Sequence, residues 1–288
     1  MAFTADTLIN KSLALVSPPT TYTQLDALIH DDNASADDIS QIINADPALT
    51  IRLLKVVNSP YYGFPSQIST ISRAITIVGT SELTQLVLAT SVIDAFKGIP
   101  ADLIKMEDFW QHSIACAVTA SSIAKKCKMP AAEQFFIAGL LQNIGSLVIY
   151  QAVPELAKEA ITSALFGSET LYEAEQRLLG FDHTEVGEAL AKEWRLPAAL
   201  TETIRHHHTP SAAENFPIET AVVHLSDIIV TSAGIFGHSG DRYVARLDPK
   251  AWGKLKLDEQ QLPDIMQQAT HKVRDLTSVL STDQFPLI

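Results

Sequence analysis

Apolar residues in this 288-residue chain recur three and four positions apart. That is the spacing of helices with one buried face, and breaker residues stand at nearly every joint. Pro18-Pro19 closes a short first helix, and Leu25, Leu28 and Ile29 give a second one its apolar face. Ser35 with Asp38 makes a capping-box start ahead of Ile39, Ile42 and Ile43. Asp46-Pro47 is a start signal in which Asp caps and Pro takes the first helical position, where a missing N–H costs nothing. Asn58-Ser59-Pro60 ends that helix, and Gly79 is placed to end the short helix carrying Ile71, Ala74 and Ile75 in a left-handed cap. Longer helices follow: Ser81 to about Phe96, Met106 to Lys126, and Ala131 to about Tyr150 as one buried run uncharged after Glu133. Asp182 with Glu185 starts a helix ending near Trp194, Leu196-Pro197 restarts one through His206-His207-His208, and Ile218 to Ile229 reads as buried. Residues 234–248 read as a loop, and Pro263 opens a closing helix through Ile265, Val273, Leu276 and Leu280.

No alternating segment is long enough for a sheet. The pattern predicts an all-α protein, with an N-terminal bundle of short helices (1–97) packed on a core of longer ones (98–234). A loop and a C-terminal helix (235–288) complete it.

Composition narrows the function. An apolar fraction of 47% supplies a sizeable core. The net charge of −12 comes from 33 acidic and 21 basic residues, and the densest basic stretch is only Lys125-Lys126-Cys127-Lys128. Such a surface repels phosphate backbones, which excludes nucleic acid as the expected partner. Met1–Lys11 has no basic, apolar leader, and no stretch of about 18 uncharged apolar residues is apparent. The expectation is a cytoplasmic chain off the membrane, with Cys116 and Cys127 reduced and partly buried.

Several of the nine histidines sit at helix positions. His112 lies early in a long helix, His183 follows its capping Asp182, His207 and His208 end the next helix, and Asp227 lies in the helix beyond. Imidazoles and carboxylates from several helices of a bundle can converge on a metal. Scattered histidines are equally compatible with ordinary hydrogen-bonded side chains. There is no Gly-x-Ser-x-Gly elbow and no Gly-x-x-x-x-Gly-Lys or Gly-x-Gly-x-x-Gly phosphate loop. Tyr61, Tyr62 and Phe64 pack a loop onto the core on the plainer reading, and offer a partner-docking edge on the sharper one.

The order of these residues resembles the HD phosphohydrolase superfamily, whose metal pattern runs His, then His-Asp, then a distal Asp. Its doublet ends a run of the form Leu-Leu-His-Asp-Ile-Gly, and the matching stretch here is Leu140-Leu141-Gln142-Asn143-Ile144-Gly145. His112 matches the first histidine and Asp227 the distal aspartate. Asp46-Pro47, Val57-Asn58-Ser59, Ile71-Ser72-Arg73-Ala74-Ile75, Phe109 to Ser113, Gly180-Phe181-Asp182-His183, Trp194 with Leu196-Pro197, and His207-His208 before Pro210 are similar to the HDOD (HD-related output domain) subgroup. The resemblance spans about residues 20–230.

The resemblance implies a bacterial signal-transduction or adaptor domain that works through protein partners, with a degenerate HD doublet at Gln142 and Asn143. Amides lack the charge that holds a divalent ion, so no catalytic residue is assigned. No resident cofactor is expected, beyond at most a weakly held divalent metal on the remnant ligands His112, His183, His207, His208 and Asp227. His183, His207 and His208 match the extra metal ligands of the HD-GYP relatives, but the acidic residue and Gly-Tyr-Pro loop of those relatives are replaced by Thr209-Pro210-Ser211-Ala212-Ala213. A divergent metal-dependent phosphohydrolase and a nucleotide or small-ligand sensor in the former cleft are the alternatives.

Overall fold

The computed structural model describes residues 4, 5, 8, 19–29, 35–96, 99–234, 238, 240–241 and 243–284. The expected first helix before Pro18 lies largely outside them. Every regular element among the described residues is a helix, so the all-α expectation holds. Contacts divide the chain into two compact units, one of residues 17–97 with 271–288 and one of residues 1–16 with 98–270.

The first of these contains α1 (Thr20–Ile29), α2 (Ala36–Asn44), α3 (Pro47–Val57), α4 (Ile71–Val78) and α5 (Thr80–Ala95). Both predicted caps form. Ser35 and Asp38 make the reciprocal box at α2, and the Asp46 carboxylate accepts the Leu49 N–H at 3.0 Å with Pro47 as first residue of α3. Gly79 ends α4 with a positive φ of 92°, which favours glycine, but its ψ of 157° lies outside the expected left-handed helical cap, and the same residue starts α5. Tyr61, Tyr62 and Phe64 are half-buried; Tyr62 stacks on Phe64 and meets Tyr61 edge-to-face, and the Tyr62 hydroxyl donates to Glu82 at 2.6 Å.

The other unit is built around α6 (Met106–Lys126), buried at every residue from His112 to Ala124. Its alanines and serines leave no bulk between helices, so α7 (Ala132–Leu141) approaches until a Cβ on Gly139 would stand 2.7 Å from the Cys116 carbonyl oxygen. The run expected as one helix from Ala131 breaks at Gln142-Asn143, and α8 (Ile144–Ala152) begins afresh. Gln134–Ala152 is, against expectation, long and apolar enough to cross a membrane, yet 89% of it is buried inside the protein. A core helix of a globular unit passes the same test.

Two helices that the apolar pattern did not signal, α9 (Pro154–Phe166) and α10 (Leu171–Leu179), fill the stretch before α11 (His183–Glu193). Then come α12 (Ala198–His206), α13 (Pro217–Ala233) and α14 (Pro249–Leu255); α15 (Leu262–Gln284) closes the chain. The distal end of α6 forms an apolar core with α7, α13 and α14 through Ile123, Phe135, Val222, Leu225 and Leu255.

Candidate functional site

Each predicted site residue sits at a defined point of this framework. His112 lies two turns into α6, Gln142 and Asn143 occupy the break between α7 and α8, and His183 opens α11. His207 and His208 follow the end of α12, and Asp227 lies on α13. Close backbone approach holds the break against α11: a Cβ on Gly145 would stand 2.0 Å from the His183 carbonyl oxygen and 2.5 Å from the Gly187 nitrogen.

The residues fall into two hydrogen-bonded groups. In the first, His112 Nε2 lies 3.0 Å from Asp227 Oδ1, and Gln142 Nε2 donates to the same oxygen at 3.1 Å. Cys116, one turn beyond His112, places its Sγ 3.4 Å from His112 Nε2 and 3.8 Å from Asp227 Oδ1. Burial alone would raise the Asp227 carboxyl, but the hydrogen bond and charge of His112 outweigh it and hold Asp227 well below the usual carboxylate range. Burial, and then the Asp227 charge, push the Cys116 thiol far up.

In the second group, His183 Nδ1 donates to Glu175 Oε2 at 2.6 Å, and the His183 backbone N–H donates to the same oxygen at 2.8 Å. That carboxylate fixes the tautomer and leaves the Nε2 lone pair directed into the site. Nε2 lies 3.1 Å from His208 Nε2. His207 donates from Nδ1 to the Ile204 carbonyl at 2.9 Å, which leaves its Nε2 buried with no hydrogen-bond partner. One ring nitrogen from each of these three histidines lies within 4.8 Å of the others. Burial pulls His183 down, yet Glu175 and Asp182 outweigh it and hold it above its ordinary value. Burial and the neighbouring His183 take His207 down to about 4, and burial with His207 takes His208 well below normal.

Asp227 acts electrostatically on all three of these histidines, so the five expected residues form one polar region. Its chemistry is compatible with a metal: Nδ1 of His183 and of His207 is engaged on a protein acceptor, His207 Nε2 is buried without a hydrogen-bond partner, and Asp227 is held ionised. A surface cavity lined by Glu188, Lys192, Arg195, Glu202 and His206 contains none of the five.

Three participants were missed from sequence. Glu175 lies on the unanticipated α10, whose Thr170–Glu173 capping box was a legible start signal. Cys116 was visible at four residues from His112, the spacing that shares a helix face. His224 donates from Nδ1 to the His207 carbonyl at 2.7 Å and accepts the Asp248 N–H at 3.1 Å, a structural role that secures the His207 loop. No sequence signal marked it.

A model of the HDOD domain matches residues 15–210. The chain belongs to the HDOD family. An uncharacterized protein of Treponema pallidum (strain Nichols) is 28% identical over 200 residues, which is 69% of this chain and 38% of that protein. The HDOD chain thus spans well under half the length of that relative. Among solved structures, it resembles an HDOD domain protein of unknown function from Geobacter sulfurreducens, with a TM-score of 0.77, 24% identity and 98% of each chain covered. A protein of Shewanella amazonensis SB2B, provisionally described as a phosphohydrolase, gives a TM-score of 0.76 at 22% identity, covering 96% of this chain and 98% of that one. One of Marinobacter aquaeolei VT8, provisionally described as a signal transduction protein, gives 0.73 at 20% identity, covering 95% and 61% respectively. At these identities the likeness establishes the HDOD fold.

Proposed function

We propose that this chain is a non-catalytic signal-transduction or adaptor domain of the cytoplasm, acting through contacts with protein partners rather than with nucleic acid or membrane. The observation that carries the reading is the occupant of the HD-doublet position. Gln142 stands there as a buried amide that donates to Asp227 Oδ1 at 3.1 Å, with Asn143 buried beside it. A hydrolytic HD site needs two metal-binding side chains here, with the carboxylate charge to offset dehydration of the ion. The neutral amides supply no such charge, and the Gln142 N–H instead hydrogen-bonds the Asp227 carboxylate.

A second reading, a divergent metal-dependent phosphohydrolase, is favoured by the convergence of His183, His207 and His208 with Glu175 behind His183. Turnover decides between the two. Untagged protein incubated with a generic phosphodiester, a phosphomonoester and cyclic dinucleotides, each with Mn(II), Fe(II), Mg(II) or Zn(II), is expected to release no product above background. Activity that disappears with chelator and in His183→Ala would overturn the adaptor reading.

A further inference from the structure

We infer that the surface cavity between α11, α12 and residues 212–215 binds a zwitterionic small molecule, a free amino acid or a short peptide. Arg195 takes its carboxylate and Glu214 its ammonium group. The cavity measures about 630 Å³, a size usual for small-ligand sites. It shares no residue with either histidine group.

The charges left over in its walls carry the inference. Five charged side chains line the cavity, Glu188, Lys192, Arg195, Glu202 and Glu214. Three of them are already bonded within the protein. Glu188 Oε1 holds Lys192 Nζ at 2.6 Å, and its Oε2 lies 3.5 Å from Arg205 Nε. Glu202 accepts the backbone N–H groups of Asn215 and Phe216 at 2.8 and 3.2 Å, and the Asn215 side-chain amide at 3.1 Å. Among the described residues, neither the Arg195 guanidinium nor the Glu214 carboxylate has a hydrogen-bond or ion-pair partner, and the two do not pair with each other. One cation and one anion remain, and a small ligand carrying both signs satisfies both. Half-buried His206 adds a neutral contact, because its Nδ1 is buried without a hydrogen-bond partner. Burial, and then the Arg205 charge, push that imidazole below its ordinary value. Near neutral pH its Nδ1 therefore gives or takes a hydrogen bond according to tautomer.

The backbone sets Arg195 at the cavity. The Leu196 N–H donates to the Ala191 carbonyl at 2.8 Å and the Arg195 N–H to the Lys192 carbonyl at 3.0 Å. That closing turn of α11 puts Arg195 at a φ of 54°, a position where glycine is usual. Gly180 and Gly234 end α10 and α13 in this conformation. The helix dipole also favours a cation there, and Lys128 takes the same position after α6 with a φ of 53°. Lys128 does not line the cavity, which makes it the control for Arg195. The same two helices carry the polar region, since His183 opens α11 and His207 follows His206 directly. The site therefore extends the regulatory reading without depending on it: turnover tests that reading, and ligand binding this one.

The test is isothermal titration calorimetry of the full, untagged chain near neutral pH. The probes are the free L-amino acids of proteins and the peptides Gly-Gly, Ala-Ala and Ala-Ala-Ala. At least one should saturate the protein with a dissociation constant below about 1 mM. Saturation by peptides alone identifies a peptide as the source, and by amino acids alone a free metabolite. The N-acetyl form of that probe, which lacks the ammonium group, and its carboxamide, which lacks the carboxylate, should each bind about 10–100-fold more weakly, as loss of a charge-assisted hydrogen bond does. Arg195→Gly and Glu214→Gln should impose a similar loss, and Lys128→Gly should leave binding unchanged. Both glycine variants should melt no lower than wild type, because glycine takes a positive φ without strain, so lost binding in Arg195→Gly is not lost folding. The site is overturned if no probe saturates, if affinity survives Arg195→Gly or Glu214→Gln, or if Lys128→Gly weakens it as much.

Discussion

Glu175 is the residue whose environment demands most of it. It is 1% exposed, and its Oε2 accepts both the backbone N–H and the Nδ1–H of His183. Removing it strands two buried donors, each costing about 1–3 kcal/mol. Glu175→Ala is therefore expected to lose about 3 kcal/mol or more in urea denaturation, and Glu175→Gln less, because an amide oxygen still accepts. Equal losses would show that the carboxylate is not the partner that matters. Asp241 carries the clearest pH signature. Burial pushes its carboxyl up to about 6, against hydrogen bonds from the Leu171 and Tyr243 N–H groups. A folded value above the unfolded one means that the native state holds the proton more tightly, so this contribution is full below about pH 4 and is lost as pH rises through about 6. The stability of wild type minus Asp241→Asn should fall by up to about 3 kcal/mol between about pH 4 and pH 7, at 1.36 kcal/mol per unit. A flat difference across denaturation curves at those pH values would remove Asp241 as the source.

At the scale of elements, helix packing around the site depends on glycines whose roles differ. The missing Cβ of Gly145 is what lets α8 lie on the first turn of α11, since the atoms it would meet are backbone and cannot swing aside. Gly145→Ala is expected to cost about 3 kcal/mol or more, as overpacking against a fixed neighbour does, and to disturb the His183 environment. Gly253 in α14 is exposed, and an added Cβ would meet nothing within 4 Å. Gly253→Ala should instead stabilise by about 0.5–1 kcal/mol through helix propensity and the unfolded chain. Thermal melts of the pair check both signs at once. The same helices show what the sequence could convey. Met106–Lys126 was legible because charge marks its ends, Glu107 and Asp108 in the first turn and Lys125 and Lys126 in the last, with Pro130 beyond. The break at Gln142-Asn143 was not, because all-round burial erases the periodicity that marks a helix end. α10 went unread despite its capping box, and with it Glu175, since a buried charge on a mostly polar helix has no pattern until its partner is known.

For the whole molecule, the ordering of His112, His183, His207, His208 and Asp227 along the chain was readable, and the fold brings them into one polar region. Their division into a cysteine-containing group and a three-histidine group was not, because it depends on how α6, α11 and α13 cross. Net charge is the property that survives without any fold. With 33 acidic and 21 basic residues, the chain carries −12, and over a Debye length of about 10 Å at 0.1 M salt that charge acts on an approaching polyanion as a repulsion. The one dense basic stretch does not escape it: Lys126, at the end of α6, already lies 3.8 Å from the Asp264 carboxylate. Proteins that bind duplex DNA without sequence preference do so with dissociation constants of about 10⁻⁴–10⁻⁶ M, through released counterions. Fluorescence anisotropy of a labelled duplex of about 20 base pairs should therefore stay flat up to about 100 μM protein at about 0.1 M salt, and lowering the salt should not reveal binding. A saturable signal whose affinity falls steeply with the logarithm of salt concentration would mean that local lysines overcome the global charge, and nucleic acid would return as a partner.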